Sequence, residues 1–190
     1  MIARRRRRRR TRAHLEESAM GNVLHKDVAD PRTGMTPREE RLVRDSWRNF
    51  TRKNPDFGVI VFQRMFRKYP EYQKLFERFK NADVQTLPSN PKFRAHACSV
   101  GFQLSAIVES LDDPDAVAEL IHRNAVNHTK HAGVRPPNFE GFFSAVLEEM
   151  EAKNKSFMTP PVVAAWVKFF EVRNGVVVIC PVKISGDNFI

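Results

Sequence analysis

The chain has 190 residues, two cysteines and a formal net charge of +10 at neutral pH. That length allows one domain with a core large enough to enclose a small cofactor, and two cysteines with no CxxC pair exclude a disulfide framework or a zinc knuckle. The charge would suit nucleic acid or an anionic membrane, but residues 1–19 hold eight Arg against two Glu, +6 of the total, so the remainder carries only +4 and no nucleic-acid partner is expected.

Residues 1–35 combine the arginine run Arg4–Arg10 with turn formers and no sustained period, and read as a disordered basic leader that takes no part in the core. A solvated low-complexity tail, or upstream sequence wrongly joined to the gene, is the plainer reading of that run. A nuclear or nucleic-acid signal, or an anionic-lipid contact, is the sharper one. A chain starting at Met20 would read "MGNVLHKD", like a myristoylated protein, although His25 stands where the acceptor pattern has Ser or Thr, so Gly21 is a weak lipidation site. No apolar run approaches the ~20 residues of a membrane span, and no secretory leader is present. The expected location is the cytoplasm.

From Thr36 the pattern turns helical. "TPREERLVRDSWRNF" places Thr36 as N-cap, Pro37 in the first turn and Glu39 to close a capping box, with Val43, Trp47 and Phe50 on one face. "FGVIVFQRMFRKYP" sets Val59, Phe62 and Phe66 at helical spacing and stops at Pro70. "PKFRAHACSVGFQLSAIV" aligns Phe93, His96, Ala97, Val100, Leu104 and Ile107. The cap-and-proline start recurs at Asp113-Pro114 and Thr159-Pro160, and "NFEGFFSAVLEEM" carries a wide stripe of Phe139, Phe142, Phe143, Val146, Leu147 and Met150. No strand-like alternation occurs between residues 36 and 173, so the fold class is all-α, six or more helices around one core. Residues 174–190, with a β-branched run from Val176 to Ile179, read as an irregular tail and an aggregation-prone window.

His96 on an apolar helical stripe is by itself an ordinary boundary histidine. His128 follows 32 residues later on another helix, with His131 beyond it. Two imidazoles on two helices in apolar surroundings can approach a metal together. A zinc site from His122, His128 and His131 is an alternative at helical spacing, but no acidic or cysteine ligand accompanies it. No nucleophile triad, phosphate loop or paired carboxylates stand out, and no catalytic residue is assigned.

Residues from about Thr36 to about Val172, roughly seven-tenths of the chain, resemble a globin, most like the cytoglobin, neuroglobin and globin X branch. "YPEYQKLFERF" resembles the segment between the family's third and fourth helices, with Phe76 at the haem-stacking phenylalanine and Phe79 three residues on. "RAHACSV" resembles the distal helix, with His96 as distal histidine and Val100 one turn later as an apolar gate. "LDDPDAVAELIHRNAVNHTKHAGV" resembles the proximal segment, with His128 as the iron ligand. Trp47 and Trp166 fall where the family often has a tryptophan.

The resemblance implies a globin fold of six to eight helices over residues 36–173 and a haem b cofactor, with His128 and His96 as metal ligands and Phe62, Phe76, Phe79 and Val100 as pocket walls. It implies reversible binding of O2, CO or NO, in a monomer or homodimer, with an iron that His96 can cap when no gas is bound. The alternative is redox enzymology, NO oxidation or nitrite reduction, with a reductase as partner and membrane attachment through the leader as a variant.

Four departures from the family stand out. Asn124, one turn before His128, replaces a usual leucine, and His131 rivals His128 as ligand, although His128 fits the spacing to Gly133 and Phe139 better. Cys98 matches one partner of the cytoglobin disulfide but Asn54 stands near the other, so Cys98 is expected as a free thiol facing away from His96. The last helix is shortened at about Val172.

Overall fold

The computed structural model describes residues 27–170; the arginine run, Gly21 and the β-branched run near the C-terminus lie outside them. The described residues form seven α-helices and one 3₁₀ turn, with no strand. They are α1 (Pro37–Lys53), α2 (Phe57–Lys68), α3 (Pro70–Gln73), the 3₁₀ turn Leu87–Ser89, α4 (Pro91–Glu109), α5 (Pro114–Thr129), α6 (Pro136–Lys153) and α7 (Pro160–Phe170).

Local chemistry starts α1, α4 and α5. The Thr36 hydroxyl accepts the Glu39 N–H at 3.2 Å and the Glu39 carboxylate accepts the Thr36 N–H at 2.8 Å, the expected capping box. Such a cap contributes about 1 kcal/mol. Asp113 caps α5 through the Ala116 N–H at 3.1 Å. Asn90, which the periodicity did not single out, caps α4 by accepting from the N–H groups of Lys92 and Phe93. α1 ends at Asn54, whose side-chain amide donates to the Phe50 carbonyl at 2.8 Å.

The helices pack as crossed pairs. α2 lies across both α4 and α6, α1 lies against α7 and α4, and α4 leads into α5. Val43, Trp47 and Phe50 are buried as their spacing requires, and Phe62 and Phe66 likewise, but Val59 is only half-buried because the inner face of α2 runs through Gly58, Val61 and Met65. The two tryptophans join the first and last described helices. Their rings lie 5.7 Å apart, Trp166 Nε1–H donates to Ser46 Oγ at 2.9 Å and Trp47 Nε1–H donates to Ser105 Oγ at 3.1 Å, so neither buried indole leaves its donor unmatched. Lys168 adds an ion pair from α7 to Glu39 at 2.7 Å.

Residues 27–35 correct part of the leader reading. They make a closed turn in which Gly34 (φ +65°) donates to the Asp30 carbonyl, and they deliver Met35, 1% exposed, into the core. A buried methionine fills irregular space between helices without periodicity to announce it. The packed fold therefore begins upstream of Thr36.

Between α2 and α4 the backbones nearly touch. A Cβ added at Gly58 would lie 2.2 Å from the Ala97 carbonyl oxygen, a backbone atom that cannot step aside. Gly58→Ala should therefore cost about 3 kcal/mol, as overpacked cores do. Gly34→Ala, with open space around it, should cost only the ~1 kcal/mol of a left-handed non-glycine residue. Urea denaturation of the two variants checks the ranking, and equal midpoints would refute it.

Candidate functional site

α4 presents two faces. Phe93, Ala97 and Val108 are buried against the body of the fold, while the half-buried His96, Val100 and Gln103, with the buried Leu104 and Ile107, line a cavity of about 510 Å³. That volume lies within the range of small-molecule and cofactor pockets. The cavity is bounded by α2, the segment after α3, α4, α5 and α6. All six predicted pocket residues, Phe62, Phe76, Phe79, His96, Val100 and His128, border it.

One wall is aromatic. The His96 ring stands edge-on to Phe62 and Phe76, each at 5.1 Å, with Phe79 at 6.1 Å. Phe76 and Phe79 stack at 5.2 Å, and Phe93 closes the cluster behind them. Withdrawal from water among these rings penalises the imidazolium, and the nearby His128 and His131 add smaller repulsions. The His96 pKa is pushed down to about 4.

The other wall comes from α5 and α6. His128, near the end of α5, holds its Nδ1 at 2.8 Å from the Asn124 carbonyl oxygen and meets Phe139 edge-on at 5.0 Å. A carbonyl can only accept, so Nδ1 carries the proton in a neutral ring and Nε2 keeps a free lone pair. The sequence left this acceptor unnamed, and it is the helix's own backbone one turn back. His131 also borders the cavity, but from the exposed turn after α5, with its ring 6.3 Å from that of His128. His122 is exposed and lies away from the cavity.

Several wall residues were not singled out by sequence reasoning for the site. Phe142 packs on Phe62 at 5.2 Å, Tyr72 reaches the cavity while its hydroxyl donates to the Pro137 carbonyl, and Arg78 and Lys92 stand at the cavity's edge. Phe142 was legible only as part of a wide stripe on α6. Arg78 and Lys92 carry no local signal that separates them from other surface cations. Cys98, two residues beyond His96, is an exposed free thiol on the outer side of α4.

Known proteins resemble this chain in sequence and in fold. The family model described as Globin matches residues 59–177. Cytoglobin-1 of Oryzias latipes is 27% identical over 157 residues, which cover 82% of this chain and 87% of that protein. Among solved structures, the hemoglobin of the botfly Gasterophilus intestinalis superposes with a TM-score of 0.65 at 23% identity, covering 72% of this chain and 91% of its own. A hexacoordinated heme protein from an anhydrobiotic tardigrade does so with a TM-score of 0.64 at 19% identity, covering 74% and 96%. These structural likenesses carry the fold.

In the cofactor-free protein His96 should stay neutral far into acid. Because its folded pKa of about 4 lies below the ordinary 6.5, the unfolded chain binds the proton more readily, so stability is complete above pH 6.5 and falls as pH drops toward 4. An NMR titration should show the His96 ring inflecting near 4. His96→Gln should flatten the dependence of urea midpoint on pH across that window, and an unchanged dependence would sink the assignment.

Proposed function

We propose that this chain, which belongs to the globin family, holds haem b between α4 and α5 with His128 as the iron ligand and His96 on the opposite, gas-binding side, and that it binds O2 reversibly. The observation that carries the reading is the convergence of two imidazoles from different helices on one aromatic-walled cavity, the second with Nδ1 already engaged.

The residues present fit the group. A flat apolar macrocycle needs a dry slot with aromatic walls, which Phe62, Phe76, Phe79, Phe139 and Phe142 supply. An axial ligand must be a neutral imidazole of fixed tautomer, and the Asn124 carbonyl fixes it at His128. When bound, the haem supplies an iron centre that exchanges diatomic gases such as O2, CO and NO and passes single electrons.

The chain's own groups then divide the work. His128 Nε2 would supply its lone pair to the metal, while Nδ1–H holds the ring from turning. Val100 and the phenylalanines keep bulk water out. His96, neutral at physiological pH, carries one N–H to stabilise a partially negative ligand atom, or a lone pair to occupy the sixth position itself. Both roles fit an imidazole that burial has deprotonated. Occupation of the sixth position is the state named for the tardigrade neighbour, and it is the arrangement we favour for the gas-free protein. An external gas then competes with His96, and its apparent affinity falls by the fraction of open sites.

A second reading has a specific basis in the same residue. A capped iron that must be re-reduced suits NO oxidation or nitrite reduction with an external reductase.

Visible spectra of purified, haem-supplied protein test both readings. The dithionite-reduced parent should show sharp paired bands that vanish in His96→Ala, and CO should then bind faster by about tenfold or more because no internal ligand competes. His128→Ala should retain haem at least about tenfold more weakly. A parent without haem bands would overturn the haem reading. A single broad reduced band would leave O2 carriage and remove the six-coordinate form.

A further inference from the structure

We infer that the cationic border of the cavity is the docking face for an acidic electron-donor protein, one that carries a single-electron iron–sulfur or flavin centre. This face rests on the haem reading and deepens it, because it gives the reductant a place on the fold and a charge.

Residues 27–170 carry 21 Lys and Arg against 18 Asp and Glu, a nearly balanced set. The distribution is uneven. Arg78 and Lys92 border the cavity, and Lys74 and Lys80 adjoin the wall residues Leu75 and Phe79. Arg94 on α4, Arg123 on α5, and Lys130 and Arg135 in the turn after α5 each adjoin a wall residue as well. Neighbouring Cα atoms are only about 3.8 Å apart, so these cations stand at the border on several sides. All eight are exposed, and by the same measure the exposed acids there are three, Glu71, Glu77 and Glu140. The rest of the described residues are left with a small acidic surplus.

Pairing differs in the same way. Arg32, Arg44, Arg48, Arg64, Lys68 and Lys168 each reach a carboxylate from another segment. At the border only Lys80 is paired, with Glu77, and among the described residues the other seven cations form no ion pair. Unmatched charge of one sign around an opening focuses its field there and speeds the arrival of an opposite charge. The two carboxylates of haem b would match at most two of these cations. A small anion also engages only one or two, whereas cations from three segments suit an extended acidic surface.

A lipid surface calls for a continuous apolar face among the cations, and single-stranded nucleic acid for several stacking aromatics. Here the exposed apolar residues are single side chains on different helices, Phe102 beside the wall residue Gln103 and Val126 between Arg123 and Lys130. A redox partner needs only a brief encounter of small area, steered by charge. In that encounter the donor loses one electron and the ferric iron gains it, becoming ferrous, and no atom is transferred.

The test uses the full-length, haem-loaded ferric protein and stopped-flow absorbance without oxygen. The donor is a reduced plant-type two-iron ferredoxin of net negative charge. Lys74→Glu, Arg94→Glu and Lys130→Glu together reverse three border cations, none of which lines the cavity. Lys53→Glu, Lys153→Glu and Lys155→Glu together make the same charge change at exposed sites near the ends of α1 and α6. At about 0.01 M salt the border variant should be reduced about tenfold or more slowly than the parent and the second variant within about threefold, with both gaps closing near about 1 M. The methyl viologen radical, a small cation, should reduce the border variant at least as fast as the parent.

An unslowed border variant, equal slowing of both variants, or a gap that persists at high salt overturns the docking face while the haem reading stands. Slower reduction by methyl viologen as well traces the change to the pocket and overturns it too. If the border variant loses the parent's binding to phosphatidylserine vesicles but keeps its rate with ferredoxin, the face belongs to a membrane instead. A parent without haem bands fails the haem reading and takes this docking face with it.

Discussion

Because Gly58 has no side chain, α2 can lie so close to α4 that an added methyl would sit 2.2 Å from the Ala97 carbonyl oxygen, and one turn further along the Phe57 ring covers Gly101, where an added methyl would sit 2.8 Å from it. Two such contacts four residues apart fix both the distance and the rotation of α4. Each residue of a helix turns about 100° from the last. Once Ala97 and Gly101 are pinned inward, His96 and Val100 have to border the cavity and Cys98 has to face solvent. The chemistry of the site follows from a backbone contact that takes no part in it.

The two walls of the cavity differ in electrostatic character. Around His96 the neighbours are phenyl rings, which offer no hydrogen bond to a charged imidazolium, so burial settles the ring as neutral. Beside His128 stands the Asn124 backbone carbonyl, so the ring is settled by a hydrogen bond that fixes tautomer and plane. The two imidazoles of one cavity are thus constrained in different ways, one by burial and the other by a hydrogen bond. In the function we propose, the first meets the gas ligand and the second holds the metal.

Apart from the Glu77–Lys80 pair at the cavity's edge, charge pairing ties the scaffold. Arg64 reaches the buried Glu149 at 2.6 Å, Lys68 pairs with Glu148, Arg48 pairs with Glu109, and Lys168 bridges to the same Glu39 that closes the first capping box. Lys168 and the Thr36 N–H hold the Glu39 carboxyl below its ordinary pKa even though burial pushes the other way. The exposed pairs among them contribute little individually. Their service is geometric, since they link α2 to α6 and α7 to α1 around the tryptophan pair, and so hold the frame within which α4 and α5 face each other.

Sequence by itself determined the features whose causes are local. A cap bonds within three residues, and proline in a first turn needs no partner, so the starts at Thr36, Asp113 and Thr159 were legible; Asn90 before Pro91 obeys the same rule and could have been read. The 3.6-residue stripes decided the all-α class, and the ordered set of Phe76, His96 and His128 carried the family resemblance. Periodicity alone could not pair those histidines.

Tertiary structure decided what depends on residues far apart in the chain. It buried Met35, which lies in no stripe, moved the inner face of α2 off Val59, and set His128 against the cavity while leaving His122 outside and His131 at its exposed edge. It also determined which nitrogen of His128 is free. A helical pattern says which residues share a face. Only the contact of that face with another helix says what it faces, because the free energy of burial belongs to the pair and not to either sequence segment alone.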